Sequence, residues 1–323
     1  MEFLNHTAFP AVLIRGIVDD DTMFGSLVVR VTFSFQPDGR LQPAEEQVWK
    51  TSPGPWDSPA GPMPGDELFY RGGVDFFVLG AARAPGGQNA RRLDVSVEIG
   101  DKFRHQIAVF GNRVWEKRRG QLQPTPPEPF TAVPLTLANA YGGKDVWDEL
   151  PIPFPDNPEG KGYYLEAGNA AGQPLPNLED PGRLIQQWSD QPEPVGTAIP
   201  PYAFGPRLRR SLGFDPQTGF LTRLDATFYN HAFPGMVAPK TLQPDERVRV
   251  EGVRAQGPIE FRMPRSFLAV HLRFADRQIT AAPAIDQIGI EPDKDRVFLT
   301  YRHPFRYRLV PLQKRVCELG WLR

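Results

Sequence analysis

The residues most suggestive of chemistry lie in the middle of the chain, in NPEGKGYY (157 to 164), where a glycine–lysine pair sits among other glycines. A phosphate-cradling loop needs GxxxxGK followed by Ser or Thr, so that backbone amides wrap the phosphates and a hydroxyl holds magnesium. Here Pro155 stands where the first glycine is required, and Gly162 follows Lys161 in place of a hydroxyl; Gly143–Lys144 is followed by Asp145. The stretch therefore reads as rigid turns, with Asn157–Pro158 initiating a bend and Gly160 and Gly162 supplying backbone angles that other residues resist.

Other chemistries fail in the same way. No serine has the GxSxG setting of an α/β hydrolase. His6, His105, His231, His271 and His303 form no HxxxH pair, and Asp19, Asp20 and Asp21 lack the alternation and later glutamate of a calcium loop. These patterns predict no catalytic residue, metal site or cofactor. Paired acids are the remaining route to catalysis: Glu179 with Asp180, and Asp145 with Asp148, lie in loops near Trp147 and Tyr163, the residue types of a glycosidase. A carbohydrate-active or carbohydrate-binding β protein is accordingly the alternative reading.

The elements that must position these residues are strands. The 323 residues include 36 Pro and 30 Gly, a proportion that favours many turns and few long helices. Hydrophobic residues at 40% and charged residues at 23% fit a folded, soluble chain. A net charge of −1 offers no general attraction for nucleic acid. The basic clusters Lys117–Arg119, Arg207 with Arg209 and Arg210, and Arg302 with Arg306 and Arg308 read as solvated faces. The lone Cys317 precludes an internal disulfide; no basic leader or membrane-length apolar run is visible, and the expected location is cytoplasmic, without membrane insertion.

Period-two alternation recurs. VVRVTFSF (28 to 35) places Val29, Val31, Phe33 and Phe35 on one face; DVSVEI (94 to 99) and KFRHQIAVF (102 to 110) form a hairpin; GVDFFVLG supplies a strand at 74 to 79. The predicted fold is mainly β, two sandwich- or barrel-like domains with a long loop-rich central region and few short helices. An N-terminal β domain spans 1–119. A proline-rich junction spans 120–130, and a C-terminal domain spans 131–323, with a loop-rich insert at 131–220 and a β-meander at 247–310. Weak helical patterns fall at 183–188 and 219–231, and PDKD at 292–295 is a hairpin turn.

The blocks taken in order carry a resemblance: LNHTAFPAVLIRG, VRVTFSFQPDGRL, VDFFVLGAARAP, FGNRVWE, FTAVPLTLANAYGGKD, NPEGKGYY, LPNLEDP, PEPVGTAIPP and IEFRMPR. Their order and spacing resemble the bacterial domain of unknown function family 2169. The resemblance implies a noncatalytic adaptor chaperone. Such a protein would bind a secreted effector and help load it onto the type VI secretion spike, a valine-glycine repeat protein often tipped by a proline-alanine-alanine-arginine domain. The family's signature loops fall on Tyr141, Gly142 and Gly143, on Asn157, Pro158, Gly160 and Gly162, and on Leu175, Pro176, Asn177 and Glu179. Where members commonly carry a tryptophan before a Pro–Arg pair, this chain has AFGPRLRR, keeping Pro206 and Arg207 with Phe204 nearby. Aromatic and arginine side chains dominate interface energies, so Trp147, Tyr163, Tyr164 and Trp188, with Arg207 and Arg210, are the expected anchors. An exposed sheet edge or a groove would serve equally well for docking.

Overall fold

The computed structural model describes residues 1–201 and 203–322, and it is mainly β. Three larger sheets are built from β1 (Glu2–Asn5), β2 (Ala11–Ile17), β3 (Thr22–Phe35), β4 (Leu41–Pro43), β5 (Val74–Val78), β6 (Arg92–Ile99), β7 (Phe103–Phe110) and β8 (Leu178–Glu179). They continue with β9 (Val237–Ala238), β10 (Arg247–Glu251), β11 (Ile259–Arg262), β12 (Leu268–Arg273), β13 (Gln278–Ala281), β14 (Ala284–Glu291), β15 (Arg296–Arg308) and β16 (Val316–Trp321).

The seven-stranded sheet runs β2-β3-β15-β14-β5-β9, with β4 beside the far end of β3. The five-stranded sheet runs β8-β7-β6-β10-β11, and the four-stranded sheet β1-β16-β12-β13. The expected hairpins form: β6 pairs antiparallel with β7 from Phe103↔Ile99 to Phe110↔Arg92, and β14 with β15 across the PDKD turn, where Asp295 takes the left-handed conformation.

The expected division at residues 120–130 does not separate two cores. Strands from both sides of it share the seven- and five-stranded sheets, and Val29, Val97, Val109, Val250, Leu272 and Leu299 belong to one apolar cluster. The predicted meander at 247–310 is likewise not continuous. β10 and β11 close the five-stranded sheet, β12 and β13 enter the four-stranded one, and β14 and β15 enter the seven-stranded one. The physical reason is burial. The ladder between β15 and β3 runs from Arg296↔Ser34 to Arg308↔Thr22, and such long-range pairing covers more apolar surface than either half could cover alone.

Alternation on β3 is as read, with Leu27, Val29, Val31 and Phe33 fully buried toward the apolar cluster. The opposite face is also buried, and it is charged. Arg30, Thr32, Asp75, Gln287, Thr300 and Arg302 line it beneath segments carrying Asp66, Arg71, Arg207 and His231. Arg30 donates to Asp66 (2.7 Å) and Gln287 (2.8 Å); Arg302 donates to Asp286 and to Ser26 (2.9 Å); Arg71 donates to Asp75 (3.1 Å). Arg207 and Arg302 therefore do not belong to solvated faces, whereas Lys117–Arg119, Arg209, Arg210, Arg306 and Arg308 are exposed as expected.

Two short α-helices occur among the described residues, Ala167–Ala170 and Gly205–Ser211. Neither weak helical pattern forms one. Residues 183–188 make a turn whose Gln186 and Gln187 amides bond Asp190 (2.8 and 2.9 Å), and 219–231 splits into strand Leu221–Leu224 and a 3-10 turn capped by Asp225 on Thr227 N (2.8 Å).

Candidate partner-binding site

Residues 131–220 contribute little to the large sheets and are organised by short local pairings over a second apolar cluster of Trp115, Tyr141, Phe154, Tyr163, Ala170, Leu175 and Ile185. Tyr141–Gly142 pairs in parallel with Lys161–Gly162. Asn157 is the tie between them. Its Nδ2 donates to Leu137 O (2.8 Å) and Tyr141 O (3.0 Å), while its carbonyl accepts from Gly143 N (2.8 Å) and Gly160 N (3.2 Å).

The glycines are required by close approach. Gly142 has φ 147°, and a Cβ there would lie 2.1 Å from Asn157 O; Gly162 has φ 103°, with Pro176 Cδ 2.7 Å from its would-be Cβ. Gly143 and Gly160 approach each other in the same knot, a Cβ on Gly143 lying 2.7 Å from Gly160 O.

The second signature block is tied to the five-stranded sheet. Asn177 O accepts from Phe110 N (2.8 Å), and Asn177 Nδ2 donates to Phe110 O (2.9 Å). Glu179 forms a buried ion pair with Arg113, and its other oxygen accepts from Ile185 N (2.8 Å). The Arg113 guanidinium also lies 4.1 Å from the centroid of the Phe110 ring, closing the arrangement with a cation–π contact.

The predicted docking residues thus separate into two groups. Tyr141, Gly142, Gly143, Asn157, Gly162, Tyr163, Asn177, Glu179 and Arg207 are buried and Gly160 is half-buried. They hold the scaffold, the glycines by admitting close backbone approach and the others by side-chain contacts. Tyr163 packs 5.2 Å from Phe154, Tyr164 and Trp188 lie against the same cluster, and Arg207 donates to Asn230 O. Trp147 is the one aromatic among them that stands out, 55% exposed, on the hairpin that pairs Lys144–Trp147 with Leu150–Pro153, beside exposed Val146 and Leu150; Arg210 is exposed as well. Asp145 fixes the root of this hairpin by accepting from Leu165 N (2.6 Å) and Asn169 Nδ2 (3.0 Å). Burial pushes its carboxyl pKa up, but hydrogen bonds from Leu165, Asn169 and Val146 outweigh that and hold it below the usual range.

The acids weighed for glycoside chemistry are mostly committed elsewhere. Glu179 is engaged by Arg113, Asp145 by its three donors, and Asp148 forms the hairpin turn at φ 48°.

Two features escape sequence reasoning. One is a second apolar hairpin, Leu212–Phe214 with Leu221–Leu224, which exposes Phe214, Phe220 (74%), Leu221 and Leu224. Its signal was DPQTG, where Asp215 Oδ1 accepts from Gln217 N (2.9 Å) and Thr218 N (2.7 Å) as an Asx turn. This hairpin leaves helix Gly205–Ser211, which Arg207 anchors in the buried charged layer. The other is a pocket of about 840 Å³ above that layer, walled by Pro53, Pro55, Pro62, Pro64, Pro200 and Pro201 with Phe24, Phe69 and Ile199. His231 lines it, and its pKa is driven well below the ordinary value by burial and then by Arg71, Arg207, Arg302 and Arg30. The imidazole is therefore neutral at physiological pH. Chemically the arrangement offers exposed apolar side chains and a proline-lined recess, both suited to holding polypeptide.

Among known families, the model described as "Uncharacterized protein conserved in bacteria (DUF2169)" matches residues 21–302. No curated protein and no solved structure matches the chain at a significant level.

Proposed function

This chain belongs to the bacterial DUF2169 family, and we propose that it is a noncatalytic adaptor that binds a secreted effector and promotes its loading onto the type VI spike, on a valine-glycine repeat protein or a proline-alanine-alanine-arginine tip. It acts in the cytoplasm. No helix among the described residues is long and apolar enough to cross a membrane.

One observation carries the reading. The turn chemistry of the central blocks is spent on internal locks, and the apolar side chains left outside sit on anchored hairpins: Val146, Trp147 and Leu150 on the one rooted by Asn157 and Asp145, and Phe214, Phe220 and Leu221 on the one that leaves the helix anchored by Arg207. A preformed apolar surface binds a partner with little loss of its own conformational freedom. Exposed aromatic residues on a rigid base are what interface hot spots are made of.

The test is co-purification. The chain is co-expressed with the candidate toxins found among the products of its neighbouring genes, and recovery is compared with that of a Trp147→Ala, Phe220→Ala variant. The adaptor reading expects a folded variant that recovers far less toxin. Equal recovery would remove both hairpins as the docking surface, and a toxin that never co-purifies with the unaltered chain would remove the adaptor reading.

A further inference from the structure

Sheet edges invite pairing unless they are short, charged, bulged or covered. In this molecule β1, β11 and β13 are four residues long and β8 and β9 two, but β2 is an edge of seven. Its register against β3 runs unbroken from Ala11↔Val29 to Ile17↔Met23. Arg30 N donates to Pro10 O (3.0 Å) and Val18 N to Thr22 O (2.8 Å). Because bonded and non-bonded pairs alternate in an antiparallel ladder, Val12, Ile14 and Gly16 turn their amides and carbonyls toward β3. Those of Ala11, Leu13, Arg15 and Ile17 point away from the sheet, and among the described residues they have no hydrogen-bond partner. The strand contains no proline, lysine or bulge, and Arg15 is its one charge.

Each end of this edge carries exposed apolar surface. At the C-terminal end are Ile17 (76% exposed) and Val18, with Leu309 tied alongside by its amide on Asp21 O (2.7 Å). At the other end the Phe9 ring lies 5.6 Å from that of Trp321, which is 52% exposed.

We propose that β2 is an isologous interface on which a second copy of this chain adds its own β2 antiparallel, joining two seven-stranded sheets into one. A two-fold axis brings each end of the strand onto the opposite end of its mate, so the Ile17–Val18 surface of one copy falls beside the Phe9–Trp321 surface of the other. The register follows from the donors. Centring the pair on Ile14 sets Ala11 opposite Ile17 and Leu13 opposite Arg15, so every outward amide and carbonyl finds a partner and no like charges meet. Centring it on Arg15 would oppose two guanidinium groups. Centring it on Leu13 would set Ile17 against Phe9, whose amide is already given to Thr7 Oγ1 (3.2 Å).

The experiment is sedimentation of the full chain. The unaltered protein should sediment at twice the chain mass. Arg15→Pro removes one outward donor without touching the β2–β3 ladder, and should halve the mass while circular dichroism and melting temperature stay unchanged; Arg15→Ala should remain dimeric. Ile17→Asp, at an exposed position that folding tolerates, should weaken self-association by about tenfold. For the register, Ala11→Cys with Ile17→Cys should give an interchain disulfide on oxidation, since opposed residues of such a pair lie about 5.5 Å apart at Cα, within disulfide range. Ile17→Cys alone should not. An unaltered chain that sediments as a monomer, or a folded Arg15→Pro protein that remains a dimer, overturns the proposal. A monomer whose Arg15→Pro variant loses a bound partner would show that the edge takes a foreign strand, and would equally end the dimer.

Discussion

Gly142 and Trp147 are near neighbours in sequence and opposites in environment. The first is buried at φ 147° with no room for a methyl group, in a knot closed by Asn157; the second is more than half exposed on a hairpin whose root that knot and Asp145 hold. The contrast separates two jobs that a motif-based reading merges. Residues whose identity is dictated by backbone geometry build the platform, and residues whose identity geometry leaves open form the exposed surface on which we propose that a partner docks. The same division recurs beside the second hairpin, where buried Arg207 anchors a helix and exposed Phe220 lies beyond it.

The comparison can be broken first where burial is most costly. Asp286→Ala leaves Arg302 and Arg71 without their shared carboxylate in the buried layer and should lower unfolding stability by ~3–5 kcal/mol in urea titration. Gly142→Ala should cost about 2–4 kcal/mol by the same measurement, from strain at positive φ and the clash with Asn157 O. Asn157→Ala, which removes the donor to the Tyr141 carbonyl and one of the two donors to the Leu137 carbonyl, should cost ~1–3 kcal/mol. A stability loss below ~0.5 kcal/mol for Gly142→Ala would mean that the knot is no lock.

Acid provides a finer probe of the buried layer. The pKa values of His105, His231 and His303 lie below the ordinary 6.5, in each case chiefly through burial. Below pH 6.5 the unfolded chain therefore binds protons that the folded chain refuses, so unfolding free energy should fall as pH drops through that range and stay level in this respect above it. His231, facing four guanidinium groups, should contribute a slope approaching ~1.4 kcal/mol per pH unit, and His231→Gln should flatten the profile in chemical denaturation across pH 5 to 7. At the small end, Trp147→Ala should change stability by less than ~0.5 kcal/mol.

Much of the fold was legible because alternation is a local signal. Val29, Val31 and Phe33 face the core as their spacing requires, and the hairpins at 94–110 and 285–303 form. What alternation cannot report is which strand pairs with which, and that is why the junction at 120–130 read as a domain boundary although the large sheets span it. Nor does it separate a polar face open to water from one covered by other chain segments. Arg302 in LTYRH looks solvated until Asp286 on the neighbouring strand and the distant segment carrying Asp66 and Leu68 are brought to it. At the candidate site, Asn157 begins a turn and Gly162 takes a positive φ of 103° as their setting requires, but Gly160 does not take one; it is glycine because of close approach, a Cβ there lying 2.4 Å from Asn157 Nδ2. The step from unusual backbone to docking contact was not available, because the turns that present a surface and the turns that lock a scaffold use the same residues.

The measurement that bears most directly on the account compares Trp147→Ala, Phe220→Ala with Asn157→Ala in one experiment, reading melting temperature and recovery of the co-expressed toxin together. The account predicts that the hairpin variant keeps its melting temperature and loses the toxin, whereas the Asn157 variant melts lower and, while still folded, retains it. A hairpin variant that holds the toxin as firmly as the unaltered chain would contradict the assignment of docking to the exposed hairpins.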